Sequence, residues 1–224
     1  MNGAVKKFLQ RVWIPVCFTV FAAPNFALAD TITDFITIDD GRTRVFGGDV
    51  VDTTSESLTV AQSGGLIDNV ILEFDVSSLA PTTPLTSASL SLVQDGPVSN
   101  VGLNSVPIEA FVYAGDGVVN IDDFDAVAPN VGNFSVPLTV TGGDILTFDF
   151  TDLAEFQSII NGGTGFLTIR LETNSFATLG FASLEDPVFA SPTLRVESEA
   201  IPEPSSVGML LLLGGCLVRR RRVA

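Results

Sequence analysis

From residue 35 onward, apolar residues alternate with polar or small ones in short runs. Phe35-Ile36-Thr37-Ile38, Leu58-Thr59-Val60, residues 70–76 and residues 88–93 follow this pattern. So do residues 108–113, 134–136, 146–150, 166–171, 177–181 and 193–196. Period-2 alternation is the signature of half-buried strands. Turn signals lie between the runs: Gly-Gly at 47–48, 64–65, 142–143 and 162–163, Asn-Gly at 161–162, and Asp-Gly at 95–96 and 116–117. About ten short strands at this spacing predict an all-β fold, a jelly-roll-like β-sandwich. One segment has helical spacing instead. Leu153, Phe156, Ile159 and Ile160 form an apolar stripe, with Thr151 or Asp152 placed to cap it and Gly162-Gly163 to end it. A single short helix crossing between the sheets is expected there.

Composition narrows what such a sandwich can do. All 26 acidic residues lie between Asp30 and Glu203, a 174-residue stretch whose only bases are Arg42, Arg44, Arg170 and Arg195, so its net charge is −22. The same stretch has no Cys, His, Lys, Met or Trp. A disulfide framework, a thiolate nucleophile, a histidine base and a Schiff-base lysine are therefore excluded from it. The charge also opposes nucleic acid, because four arginines cannot form a basic track. Carboxylate chemistry, hard-cation binding or a non-catalytic role remain. The length suits one domain, which can bury roughly two thirds of its unfolded surface.

The other seven bases sit at the two ends, where they read as addresses. Lys6, Lys7 and Arg11 precede an apolar run from Val12 to Ala23, and Ala27-Leu28-Ala29 is an A-x-A cleavage site. Residues 1–29 are thus expected to be a Sec-type signal peptide, with the domain occupying 30–198. An uncleaved anchor is the alternative, but the apolar run is short for a membrane span. At the other end, Pro202-Glu203-Pro204 leads into a short apolar helix over about 205–218, followed by Arg219, Arg220, Arg221 and Arg222. Its apolar core, Val207 to Val218, falls below the roughly 17–25 residues that span a bilayer. The arginine block favours a cytoplasmic tail with the domain outside.

Pro-Glu-Pro, an apolar helix and a terminal arginine cluster, in that order over 199–224, resemble the PEP-CTERM sorting signal of bacterial envelope and exopolysaccharide-associated proteins. The resemblance implies transient membrane retention, cleavage near Pro202-Glu203-Pro204 by an exosortase-type enzyme, and export alongside extracellular polysaccharide. Residues 69–79 followed by 85–92 resemble the core of DNRLRE-type domains, which are jelly rolls of the carbohydrate-binding-module type. Residues 181–185 and 192–196 are similar to the closing strands of that family. That resemblance, over roughly 31–197, implies a jelly roll and contact with polysaccharide. The stretch 30–203 has one tyrosine, Tyr113, and 13 phenylalanines to supply a sugar platform, and phenylalanine on a strand commonly belongs to the core.

One acidic cluster has suggestive spacing. With Gly117 at the sixth position of a twelve-residue calcium loop, Asp116, Asn120 and Asp123 fall at ligand positions, and Asp122 and Asp125 lie beside them. Calcium is the cofactor these residues admit. Val112 and Ala114 occupy the first and third positions, where side-chain oxygens are needed. The alternative is a tight Gly-Asp-Gly turn followed by a one-turn helix carrying Phe124 and capped by Asn120 or Asp122. Taken together, the sequence predicts an exported structural or adhesive protein of the envelope or matrix and no enzymatic activity. A carbohydrate-binding module, with or without calcium, is the alternative, and a carboxylate-based glycan-active enzyme stands third.

Overall fold

The computed structural model describes residues 30–45, 49–81 and 83–199. Residues 1–29, where a signal peptide is expected, Gly47-Gly48, the motif Pro202-Glu203-Pro204, the apolar segment 205–218 and Arg219–Arg222 lie outside the described residues. Among the described residues, no helix is long and apolar enough to cross a membrane.

Among the described residues the fold is all-β, with twelve strands and one α-helix. The strands are β1 (Thr31–Ile36), β2 (Asp39–Val45), β3 (Asp49–Asp52), β4 (Ser57–Ser63), β5 (Leu66–Asp75) and β6 (Leu85–Asn100). They continue as β7 (Ser105–Ala114), β8 (Asn130–Pro137), β9 (Ile145–Asp149), β10 (Phe166–Glu172), β11 (Ala177–Ala182) and β12 (Thr193–Ser198), with helix α1 (Leu153–Gly162) between β9 and β10. Every pairing is antiparallel, in the order β1-β12-β6-β11-β4-β5-β10-β7-β8; β2 joins β5 and carries β3, and β9 joins β6. The sheet curls until its inward faces share one core. Leu90, Leu179, Leu194 and Val196 from one part meet Leu72, Phe74, Ile108, Val112 and Ile169 from the other. An aromatic chain runs through it: Phe181, Phe148 and Phe134, then Phe150 and Phe156, with successive ring centroids 4.7–6.3 Å apart. Such ring pairs add to the area they bury. Five of the phenylalanines are therefore structural.

Three features differ from the sequence expectation. The expected strand 35–38 is broken at Thr37, whose hydroxyl donates to Asp39 and Glu73 carbonyls. β2 and β3, rich in Asp, Gly and Arg, carry no apolar alternation, and ion pairs tie β2 to its neighbours instead: Arg42 to Asp52 of β3 at 2.9 Å and Arg44 to Asp68 of β5 at 2.6 Å. Asp95-Gly96 is not a turn. It lies within the 16-residue β6, where Gly96 takes φ 89° beside Gly180 and β11 shifts register. This is bulge geometry inside a continuous strand. The helix begins and ends as its sequence predicts. Asp152 accepts from the Ala154 amide at its start, and Gly163 closes it in the left-handed region at φ 72°.

Candidate functional site

β5 is buried on both sides. Val70, Leu72 and Phe74 face the core, while Asn69, Ile71 and Glu73 face outward and are buried as well. A second layer must cover that outward face, and the segment between β7 and β8 supplies it. Beneath this cover, strand register aligns Asp39, Glu73, Thr168 and Tyr113 side by side across β2, β5, β10 and β7. The next row is Gly41, Ile71, Arg170 and Phe111.

The covering segment is tied to these rows at four points. The Val119 amide donates to Asp39 Oδ2 at 2.8 Å. Tyr113 donates its hydroxyl to Asp123 Oδ1 at 3.0 Å. Arg170 Nη1 donates to the carbonyls of Asp123 and Ala126 at 2.8 and 2.9 Å. Gly115 packs directly on the Glu73 carboxyl. The Arg170 guanidinium also lies 5.2 Å from the Phe111 ring centroid and pairs with Glu172. A planar cation held between a ring and carbonyls suits a dry site, because arginine keeps its charge and presents a fixed fork of donors.

The candidate calcium residues lie in this cover, where Asp116, Asn120 and Asp123 use side-chain oxygens to hold its own backbone. Asp116 Oδ1 accepts from the Val118 amide at 3.0 Å. Asn120 Oδ1 accepts from the Asp122 amide at 2.9 Å, and Asp123 Oδ2 accepts from the Asn120 amide at 2.7 Å. These reciprocal bonds form a capping box on a 3-10 turn, Ile121–Asp123, closed by Phe124. Asp122 and Asp125 point to the surface. The geometry matches the capped-turn alternative, and among the described residues no three carboxylates converge on a metal position.

Two carboxyls outside that cluster are strongly perturbed. Glu73 has no solvent exposure, accepts from the Thr168 hydroxyl and leaves Oε2 without a hydrogen-bond partner. Burial pushes its pKa from the ordinary 4.5 up to about 7, and the negative charge of Asp123 adds to the shift against the Thr168 bond. Asp40 is equally buried and accepts from the Leu184 amide at 2.7 Å. Burial raises it from 3.8 to about 7; the Leu184 bond opposes this, and Glu185 and Asp39 add to it. Burial also raises Asp123 and the Tyr113 hydroxyl. Asp40 is paired with Leu72 and Asp39 with Glu73, so Asp40 and Glu73 face opposite sides of the sheet. They do not form a carboxylate pair across a common cleft.

No protein-family model matches the chain, and no curated protein matches it.

Its own residues therefore carry the functional reading. All four arginines between residues 30 and 203 are in ion pairs: with Asp52, Asp68, Glu172 and Asp34. They are committed inside the domain, which leaves its surface without an unpaired arginine for an anionic polymer. Among the described phenylalanines, Phe176 alone is open to solvent, and Tyr113 and Phe111 lie half-covered against Arg170. Sequence reasoning missed the Glu73–Thr168–Arg170 cluster. Its one signal was an acid in the otherwise apolar run Val70-Ile71-Leu72-Glu73-Phe74.

Proposed function

We propose that the protein is an exported structural or adhesive component of the cell envelope or extracellular matrix, sorted through its C-terminus. In this reading a Sec-type signal peptide leads it out, the segment after Pro202-Glu203-Pro204 holds it transiently in the membrane, and an exosortase-type enzyme cleaves near the motif. The observation that supports it most directly is the pairing of the first and last strands. Thr31 lies opposite Ser198, and β1 runs antiparallel to β12 along its length. Both address segments therefore leave the domain at one end, outside the last paired residues. Removing both would cut none of the described strands. The absence of Cys, His and Lys from 30–203, and the inaccessibility of Asp40 and Glu73, favour a non-catalytic role. A peptide tag placed after Ala224 tests the sorting step. The mature protein should lose it, and a secreted or surface-held protein that keeps it refutes cleavage.

A carbohydrate-binding module is the second reading, favoured by the curled antiparallel architecture and its jelly-roll-like character. With the arginines committed and Phe176 alone exposed among the described phenylalanines, neutral glycans are the better ligands, and acidic ones need calcium to bridge them to surface carboxylates. A glycan array probed with the secreted protein, with calcium and with chelator, decides between the two readings. Binding to no polysaccharide in either condition removes the second.

A further inference from the structure

Three neighbouring segments at one end of the sandwich are free of charge. The β6–β7 loop, residues 101–104, and the β10–β11 loop, residues 173–176, meet there. The Val101 amide donates to the Phe176 carbonyl at 3.0 Å, and Asn100 Nδ2 donates to the Ser105 carbonyl at 2.6 Å and to Ser175 Oγ at 3.3 Å. The end of β8 adjoins them, with the Leu138 amide donating to the Asn104 carbonyl at 3.1 Å. Residues 97–108, 130–143 and 173–184 contain no Asp, Glu, Lys or Arg, although the stretch 30–203 holds 26 acids. In the strands below, Glu109 accepts from Asn174 at 2.7 Å and Glu172 pairs with Arg170. Three large apolar side chains stand out of the two loops: Val101 is 82% exposed, Phe176 60% and Leu103 53%. Asn104 and Asn174 are exposed beside them. The patch lies at the far end of β6 from β12, since Leu85 is opposite Ser198 and Asn100 is opposite Ala177.

Charge decides what fits this patch. A second copy or an anionic surface brings negative charge toward a stretch of net charge −22, and repulsion opposes both. Three side chains are also few for a protein partner, which needs about 800 Å² on each side. A neutral sugar chain meets neither obstacle. A pyranose ring offers an apolar C–H face to an aromatic ring and hydroxyls to amides, which are the groups the two loops display. We propose that Phe176, Val101 and Leu103, with Asn104 and Asn174, form a binding site for a neutral polysaccharide chain. Phe176 is its platform, and the two amides bond the hydroxyl rim. The ligand class rests on the carbohydrate-binding reading above; the location rests on the loops.

Affinity electrophoresis tests it. The purified full-length chain, in a detergent without a sugar head group, is run through native gels cast with neutral glucan, mannan, galactan or xylan. At least one polymer should retard the parent, equally with calcium and with chelator. Phe176→Ser should weaken that retardation about tenfold, the scale of one aromatic contact. Phe176→Trp should keep or tighten it, which a merely structural role does not predict. Ile145→Ser, at an exposed apolar residue of β9, should match the parent. Parent-like retardation of Phe176→Ser overturns the site and leaves the carbohydrate-binding reading standing. Retardation of the parent by none of the polymers overturns both. Retardation that requires calcium overturns the site, because it assigns the contact to carboxylates. Self-association of the parent that Phe176→Ser abolishes also overturns it, and gives the patch to a second copy.

Discussion

Glu73 places its carboxyl where a side chain on residue 115 would begin, so Gly115 is fixed by close approach rather than by backbone conformation. A Cβ there would meet Glu73 Oε2 and Thr168 Oγ1 at less than contact distance. Gly115→Ala should therefore lift the covering segment from β5 and lower stability by about 2–3 kcal/mol, in the range of overpacked buried sites. Urea denaturation measures this. A loss under about 0.5 kcal/mol, the range of an ordinary surface substitution, would mean that the carboxyl has room to move.

Stability should fall as pH rises through neutrality. Glu73 and Asp40 titrate at about 7 when folded, against 4.5 and 3.8 for the free groups. Between those values the folded chain holds protons that the unfolded chain has released. The stabilisation is complete at low pH and is lost as pH climbs through about 7. The urea midpoint should be higher at pH 5 than at pH 8. Glu73→Gln and Asp40→Asn should each flatten that profile, and a parent profile rising toward pH 8 would contradict both assignments.

Arg170 is the main tether of the cover. Arg170→Met keeps much of the stem but strands the Asp123 and Ala126 carbonyls and leaves Glu172 without its partner. A cost of about 3 kcal/mol follows from breaking a buried charged network. Limited proteolysis should then cut within 116–128 well before any strand. An unchanged cleavage pattern would show that other contacts hold the cover.

Gly180 should tolerate no side chain. A Cβ at this position would overlap the Asp95 carbonyl, which is backbone and cannot rotate away. Gly180→Ala should abolish folding or lower the Tm by more than 10 °C, about 3 kcal/mol or more for a domain of this size. Gly64→Ala serves as the comparison. It has open space around it, so only the cost of its φ of 55° remains.

The strands built on apolar alternation were legible because each displays one face to the core. Val106, Ile108, Ala110 and Val112 on β7 face inward, while Phe111 and Tyr113 do not. α1 was legible because its stripe, cap and terminal glycines agree. β2 left no such trace, since Arg44 and Asp40 are placed by partners far along the chain. Asp95-Gly96 misled because the same dipeptide serves a hairpin or a bulge, and the neighbour that decides between them, Gly180, is remote in sequence. The cluster beneath the cover was hidden for the same reason. Glu73, Thr168 and Tyr113 come from three separated segments and meet only through sheet register.

The pairing of β1 with β12 also determines how the domain would bear load. With Thr31 opposite Ser198, a pull between the two chain ends acts on a single residue pair at one corner. The Asp34–Arg195 bridge, at 2.7 and 3.0 Å, is the first side-chain lock in its path. Strands loaded this way peel one pair at a time and yield at low force. A tether at the C-terminal end alone leaves β1 unloaded, and the bonds of β12 to β6 then resist.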